Sequence, residues 1–214
     1  MLPNAWDVAS ALAVEQAGAR AVATSSAAVA AVLGYPDGER IPPGEMLDMV
    51  ARIAAAVEVP VTADLEGGYG DPVGTAHAAW EAGAVGLNLE DGAGDPGEHA
   101  DRVAAVRGAV PELVVNARID TTEVEDVVAR AGRYLEAGAD CVYAIFVAPD
   151  AIPELVRRIP GPVNVLGRPG APPVAELAAL GVRRVSVGSG LHRATLSYVE
   201  TAARQLLEDG TIAW

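Results

Sequence analysis

The sequence predicts a single (β/α)8 barrel over residues 1–214, and three observations carry that expectation. A helix-glycine-strand phrase recurs along the chain. Eight apolar, β-branched segments alternate with helical patterns, and polar residues gather where those segments end.

The recurring phrase is an amphipathic helix, then Gly-Ala or a close variant, then an apolar run. It reads Gln16-Ala17-Gly18-Ala19 before Ala21-Val22-Ala23-Thr24, Glu81-Ala82-Gly83-Ala84 before Val85-Gly86-Leu87-Asn88-Leu89, and Glu136-Ala137-Gly138-Ala139 before Cys141-Val142-Tyr143. A weaker copy is Leu180-Gly181-Val182 before Arg184-Val185-Ser186-Val187. Glycine fits the left-handed position that ends a helix, and the continuous apolar run fits a strand buried on both faces. Repeated units of this length imply parallel strands joined by right-handed crossovers.

Taken in order, the strands fall at 1–5, 21–25, 59–64, 85–90, 113–118, 141–146, 162–166 and 184–187. Helical patterns cover 7–17, 44–57, 73–82, 98–109, 122–137, 150–158, 173–180 and 191–208. Eight such pairs point to a closed barrel; a doubly wound open sheet is the alternative with the same pattern. A length of 214 residues suits one domain, since single cores grow to roughly 250–300 residues before splitting.

Composition sets further bounds. With 51% hydrophobic residues and only 4% aromatics, the core is built from Ala, Val, Leu and Ile. A net charge of −14 supplies no basic footprint and argues against a nucleic-acid partner. An anionic substrate must therefore meet local cations or a metal. The single cysteine, Cys141, excludes an intrachain disulfide and fits a reducing compartment. The uncharged stretch 21–36 is too short to span a membrane, and no basic segment precedes it, so a soluble, cytoplasmic protein is expected.

In barrels of this kind, chemistry sits at the carboxyl ends of the strands. Here those ends carry Thr24-Ser25-Ser26, Asp64-Leu65-Glu66, Glu90-Asp91, Asn116-Ala117-Arg118-Ile119-Asp120, Asn164 and Ser186-Val187-Gly188-Ser189. Asp64, Glu66 and Glu90 converge from adjacent strands and would repel one another unless a cation joined them. Mg2+ takes a few carboxylates and keeps waters and substrate oxygens, and Mn2+ is an alternative occupant. Arg118 offers a planar fork for a carboxylate or phosphoryl group. The competing reading is a surface acidic cluster, with Glu66 capping a loop. Asp91 and Asp120 read as helix N-caps.

These motifs resemble the isocitrate lyase and phosphoenolpyruvate mutase superfamily. Leu2-Pro3-Asn4-Ala5-Trp6-Asp7 resembles its first strand, and Thr24-Ser25-Ser26 with Leu33-Gly34-Tyr35-Pro36-Asp37-Gly38 its second. Ala63-Asp64-Leu65-Glu66-Gly67-Gly68-Tyr69-Gly70 is similar to its most specific motif, with Asn88-Leu89-Glu90-Asp91 and Asn116-Ala117-Arg118-Ile119-Asp120 following in order. The resemblance implies Mg2+ held directly by Asp64, through water by Glu66 and Glu90, with Asp37 further out. It implies a 2-oxo carboxylate on Ser25 and the amides of Ser26 and Ala27, Arg118 opposite, and Asn164 as a further substrate contact. An enolpyruvate-like species and a C–C or P–C bond reaction are implied, as is a homo-oligomer, dimer or tetramer, in which the final helix is exchanged between subunits.

The departures narrow this. Lyases of the superfamily carry a Lys-x-Cys-Gly stretch soon after the Glu-Asp motif, with the thiol as catalytic acid; here the loop reads Gly92-Ala93-Gly94-Asp95-Pro96-Gly97-Glu98-His99. Cys141 begins the sixth strand, at the wrong end to replace it. The mutase's loop Lys and Asn are missing as well, and Ile145 stands where relatives carry His or Glu. Isocitrate and methylisocitrate lyase activities are therefore not expected. His99 is the acid–base candidate on the loop; the competing reading is a solvent-exposed residue in a first helical turn. The chain is short for the superfamily, without its usual N-terminal helix. The expected function is a Mg2+-dependent lyase or hydrolase of an oxaloacetate- or phosphonopyruvate-like 2-oxo acid. The alternatives are a mutase-type isomerase with a reduced gating loop and a catalytically degraded barrel that binds 2-oxo acids or assembles with partners.

Overall fold

The computed structural model describes residues 1–211. Eight strands form one all-parallel sheet in sequential order: β1 (Asn4–Ala5), β2 (Val22–Thr24), β3 (Val61–Asp64), β4 (Ala84–Glu90), β5 (Val114–Ile119), β6 (Cys141–Ala144), β7 (Val163–Leu166) and β8 (Arg184–Ser186). The sheet closes where Leu2 bridges Ser186 and the Leu2 amide donates to the Val185 carbonyl at 2.7 Å. A second clasp sits above it, since the Val187 amide donates to Asn4 Oδ1 at 2.8 Å. This is the (β/α)8 barrel, and each strand falls inside its predicted segment or overruns it by one residue.

Around the barrel run α1 (Val8–Gln16), α2 (Ser26–Leu33), α3 (Pro43–Ala56), α4 (Pro72–Glu81), α5 (Pro96–Ala109), α6 (Val124–Glu136), α7 (Ile152–Arg158), α8 (Val174–Leu180) and α9 (Gly190–Asp209). The glycines of the recurring phrase adopt the left-handed region, with φ +91° at Gly83 and +104° at Gly138, and so turn each helix into its strand. Helix α2 was not expected. Its sequence, Ser-Ala-Ala-Val-Ala-Ala-Val-Leu, is apolar on every side, so it shows no amphipathic period from which to read it.

The main core lies between strands and helices, where Leu65, Leu87, Leu89, Val115, Ile119, Val142 and Val165 pack against Val50, Val103, Val106, Tyr134 and Leu155. The barrel interior differs from the expectation of strands apolar on both faces. Thr62, Asn88, Asn116, Tyr143, Asn164 and Ser186 are buried polar residues in the strands. Several of them bond to each other: Asn116 Nδ2 donates to Asn88 Oδ1 at 2.7 Å, and Asn164 Nδ2 to Ser186 Oγ at 3.3 Å. Arg184 reaches from β8 to Asn88 Oδ1 on β4 at 3.3 Å, across the barrel. The strands thus alternate, apolar outward and polar inward. Among the described residues no helix is long and apolar enough to cross a membrane.

Candidate active site at the carboxyl ends of the strands

A cavity of about 330 Å³ opens at the carboxyl ends of the strands. Its wall brings together Ser25, Ser26, Ala27, Asp37, Asp64, Glu66, Glu90 and Arg118; Ile145, Phe146, Leu166 and Val187 form an apolar side. Asp64 ends β3 and Glu90 ends β4, while Arg118 is the register partner of Glu90 on β5.

Asp64 is held on both oxygens. Oδ2 accepts from the Ser26 amide at 3.0 Å and the Ser26 hydroxyl at 2.8 Å, and Oδ1 accepts from Asn88 Nδ2 at 3.1 Å. Behind it, the Asp64 amide donates to Thr24 Oγ1 at 2.8 Å. Ser25 stands at the N-cap of α2 with an extended backbone. Because Asp64 takes the Ser26 amide, the expected role of that amide in holding a carboxylate is corrected: Ser25 and the Ala27 amide are what the first turn offers the cavity.

Glu66 sits just past β3 with φ +51°. Its carboxylate accepts from the Glu39 amide at 2.6 Å and the Tyr69 hydroxyl at 3.1 Å, and Glu39 in return accepts from the Tyr69 amide at 2.7 Å. This three-way latch ties the loop carrying Asp37 to the glycine-rich turn after β3. Burial raises the Glu66 carboxyl above its ordinary range, only partly offset by those hydrogen bonds.

Glu90 is ion-paired with Arg118 Nη1. Burial nevertheless pushes its carboxyl up to about 8, because Asp120, Asp64 and Glu66 add negative charge that Arg118 does not cancel. Burial pulls the Arg118 guanidinium down, but Glu90, Asp120 and Asp64 outweigh it and hold it above its ordinary value. Arg118 Nε donates to Asp120 at 2.6 Å, and the guanidinium lies 5.7 Å over the Phe146 ring. So Asp120 is a partner of Arg118, not an N-cap; Glu123 occupies that position for α6.

The N-cap reading of Asp91 also fails, since Asp95 caps α5 by accepting from the Gly97 and Glu98 amides. Asp91 is buried instead. It accepts from Arg130 Nη1 at 2.9 Å, Tyr134 OH at 2.7 Å, and the amides of Ala93 at 2.9 Å and Asp120 at 3.0 Å. Burial would raise its carboxyl; these four donors hold it below the ordinary range.

Two candidates lie outside the cavity wall. Asn164 is buried inside the barrel, its Oδ1 without a partner. His99 is fully buried, 4.5 Å from the Tyr134 ring, with neither ring nitrogen hydrogen-bonded. It is therefore neither on the cavity nor in solvent, which corrects both expectations for it. Burial, aided by Arg102, drops its pKa to about 4. Because the folded value lies below the unfolded 6.5, the unfolded chain binds the extra proton as pH falls from 6.5 toward 4, and stability is lost in that window. Between pH 7 and 4.5 this amounts to about 2–3 kcal/mol. His99→Leu is expected to remove that share of the acid loss in urea titrations; equal losses in both proteins would refute it.

Cys141, buried at the start of β6, has its thiol pushed up to about 11 by burial, so it offers no thiolate. Ser189, one of the polar strand-end residues, does reach the cavity wall, whereas Phe146 and Arg193, also in the wall, were missed in the sequence. Arg193 could have been found from its place four residues after Ser189 in the last helix.

The donors suit a hard divalent cation, being carboxylate oxygens with serine hydroxyls beside them. Among the described residues, no three of His, Cys, Asp and Glu stand close enough to form a ready-made cage.

The fold and this site define a barrel enzyme with acidic residues and one paired arginine at the mouth. The sequence profile of the phosphoenolpyruvate phosphomutase family matches residues 1–207, and the chain belongs to that family. It is 39% identical to an uncharacterized protein of Mycobacterium tuberculosis, covering 98% of this chain and 85% of that one. It is 28% identical to the 2-methylisocitrate lyase of Aeropyrum pernix, over 98% of this chain and 76% of the lyase. The solved complex of phosphonopyruvate hydrolase with oxalate and Mg2+ superposes with a TM-score of 0.86 at 25% identity, covering 98% and 82% of the two chains.

Proposed function

We propose that the chain is a Mg2+-dependent lyase or hydrolase of a small 2-oxo acid of the oxaloacetate or phosphonopyruvate type, working through an enolpyruvate intermediate. The observation that carries this reading is the convergence of Asp64, Glu66, Glu90, Arg118 and the first turn of α2 on one cavity. In this reading Asp64 is the direct ligand of the cation, and Glu66, Glu90 and Asp37 hold its waters; Mn2+ would serve in the same place. When bound, the cation polarises the 2-oxo group and stabilises negative charge on its oxygen. Ser25 and the Ala27 amide receive the substrate carboxylate, while Ser26 holds Asp64. Arg118, kept rigid by Glu90, Asp120 and Phe146, faces it with fixed positive charge.

Asn164 lies beneath the cavity with its side chain on the Ser186 hydroxyl, so this reading gives it no direct substrate contact. The loop after β4 carries no thiol or lysine, which supports hydrolysis or decarboxylation over the cleavage of isocitrate or 2-methylisocitrate. A homo-oligomer in the cytoplasm belongs to the same proposal; Leu196, Tyr198 and Val199 on α9 are exposed apolar side chains available for such contacts.

The deciding experiment is a panel of oxaloacetate, phosphonopyruvate, phosphoenolpyruvate and 2-methylisocitrate with Mg2+, followed by pyruvate release and phosphorus NMR. Turnover of one of the first two is expected. Conversion of phosphoenolpyruvate to phosphonopyruvate would replace the proposal with a mutase, and cleavage of 2-methylisocitrate would overturn the exclusion above. No turnover on any member, with oxalate still bound, would leave a binding protein.

A further inference from the structure

The charged groups on the cavity wall are unevenly matched. Four carboxylates, Asp37, Asp64, Glu66 and Glu90, face two guanidinium groups, Arg118 and Arg193. Arg118 is already committed, to Glu90 on one side and Asp120 on the other. Arg193 forms no ion pair among the described residues, and the one hydrogen bond of its side chain there is to the Ser189 hydroxyl, a neutral partner one helical turn earlier. It extends from α9, directly after β8, and in the barrel order β8 stands opposite β4 and its Glu90. Leu166 and Val187 supply apolar wall on this side.

Charge balance gives this arrangement a consequence. A divalent cation offsets part of the acidic side, and Ser25 with the Ala27 amide receives the substrate's 2-oxo carboxylate. A second anionic group on the substrate would then find Arg118 already shared among Glu90, Asp120 and the 2-oxo carboxylate, and Arg193 alone with unspent donors. A guanidinium is built for this task, since its planar fork can meet a carboxylate or a phosphonate with two hydrogen bonds. We infer that Arg193 is the specificity-determining residue that binds the distal anionic group of a doubly charged 2-oxo acid, selecting such substrates over pyruvate-like monoanions. The inference rests on the proposed function, which supplies the position of the 2-oxo carboxylate.

The test compares two probes by calorimetry in the presence of Mg2+. Oxalate fills the enolpyruvate half alone, whereas 3,3-difluorooxaloacetate adds a distal carboxylate. In Arg193→Gln the affinity for difluorooxaloacetate relative to oxalate is expected to fall about tenfold or more, the usual worth of a hydrogen-bonded charge pair. Arg193→Lys should recover part of the ratio, because the charge returns without the fork. The side chain is exposed, so both variants are expected to fold, and a circular dichroism melt checks this. An unchanged ratio in Arg193→Gln, with oxalate bound as in the parent protein, would overturn this inference and leave the proposed function standing. An equal loss for both probes would do the same, by making Arg193 a structural residue. If the parent protein fails to bind oxalate with Mg2+, the proposed function falls, and this inference with it.

Discussion

Replacing Asp64 with alanine is expected to abolish Mg2+-dependent oxalate binding, with at least about a hundredfold loss of affinity. Its place among the acids explains the size of the effect. Glu66 is occupied by the Glu39 amide and the Tyr69 hydroxyl, and Glu90 by Arg118, so neither is free to replace it. Asp64 accepts only from Ser26 and Asn88, which orient the carboxylate without neutralising its charge. Asn88 is itself held by Asn116 and Arg184, a chain of contacts running down the barrel interior. Asp64→Asn should fail nearly as badly, since it keeps the shape and loses the charge. Asn88→Ala should cost about tenfold, the effect of losing an orienting partner behind a ligand. Calorimetry with and without a chelator is the measurement. An Asp64→Ala protein that binds oxalate within threefold of the parent, or equally well in chelator, would remove the metal from the proposal.

The same contacts explain what could and could not be read from the sequence. The strands were legible because the Gly-Ala phrase is local: the left-handed glycine and the apolar run after it lie within a few residues. Asp64, Glu66, Glu90 and Arg118 were legible for a similar reason, as each ends a strand and a barrel aligns strand ends. The roles of Asp91 and Asp120 were not. Asp91 bonds Arg130 and Tyr134, 39 and 43 residues further on, and a helix N-cap is the natural local reading of an acid after a strand. His99 lies in the first turn of a helix whose polar face predicts exposure, yet it packs on Tyr134 from α6. The polar barrel interior was hidden because Asn88, Asn116 and Asn164 are single polar residues within apolar runs. Closure turns every second strand residue inward, and only then do they meet.

Asp91→Ala is expected to destabilise the fold by about 3–5 kcal/mol, the cost of leaving a buried charge without its partner. The Asp91 side chain is 0% exposed and that of Arg130 is 9% exposed, so water cannot solvate the guanidinium once the carboxylate is gone. Arg130 would retain Asp126, but that partner is 42% exposed and screened by solvent. The Ala93 and Asp120 amides and the Tyr134 hydroxyl would lose their acceptor at the same time. These donors come from the β4–α5 loop, the end of β5 and α6, so one carboxylate ties three elements together beneath the site. Urea unfolding should therefore show the loss as a lower midpoint with an unchanged slope. Asp91→Leu combined with Arg130→Met should recover much of it, because removing both charges also removes the stranded one. If Asp91→Ala costs less than about 1 kcal/mol, the network is no stronger than a surface pair. The Asp120 amide is one of the four donors, and Asp120 braces Arg118. Oxalate affinity should therefore fall in Asp91→Ala even at temperatures where the variant is fully folded.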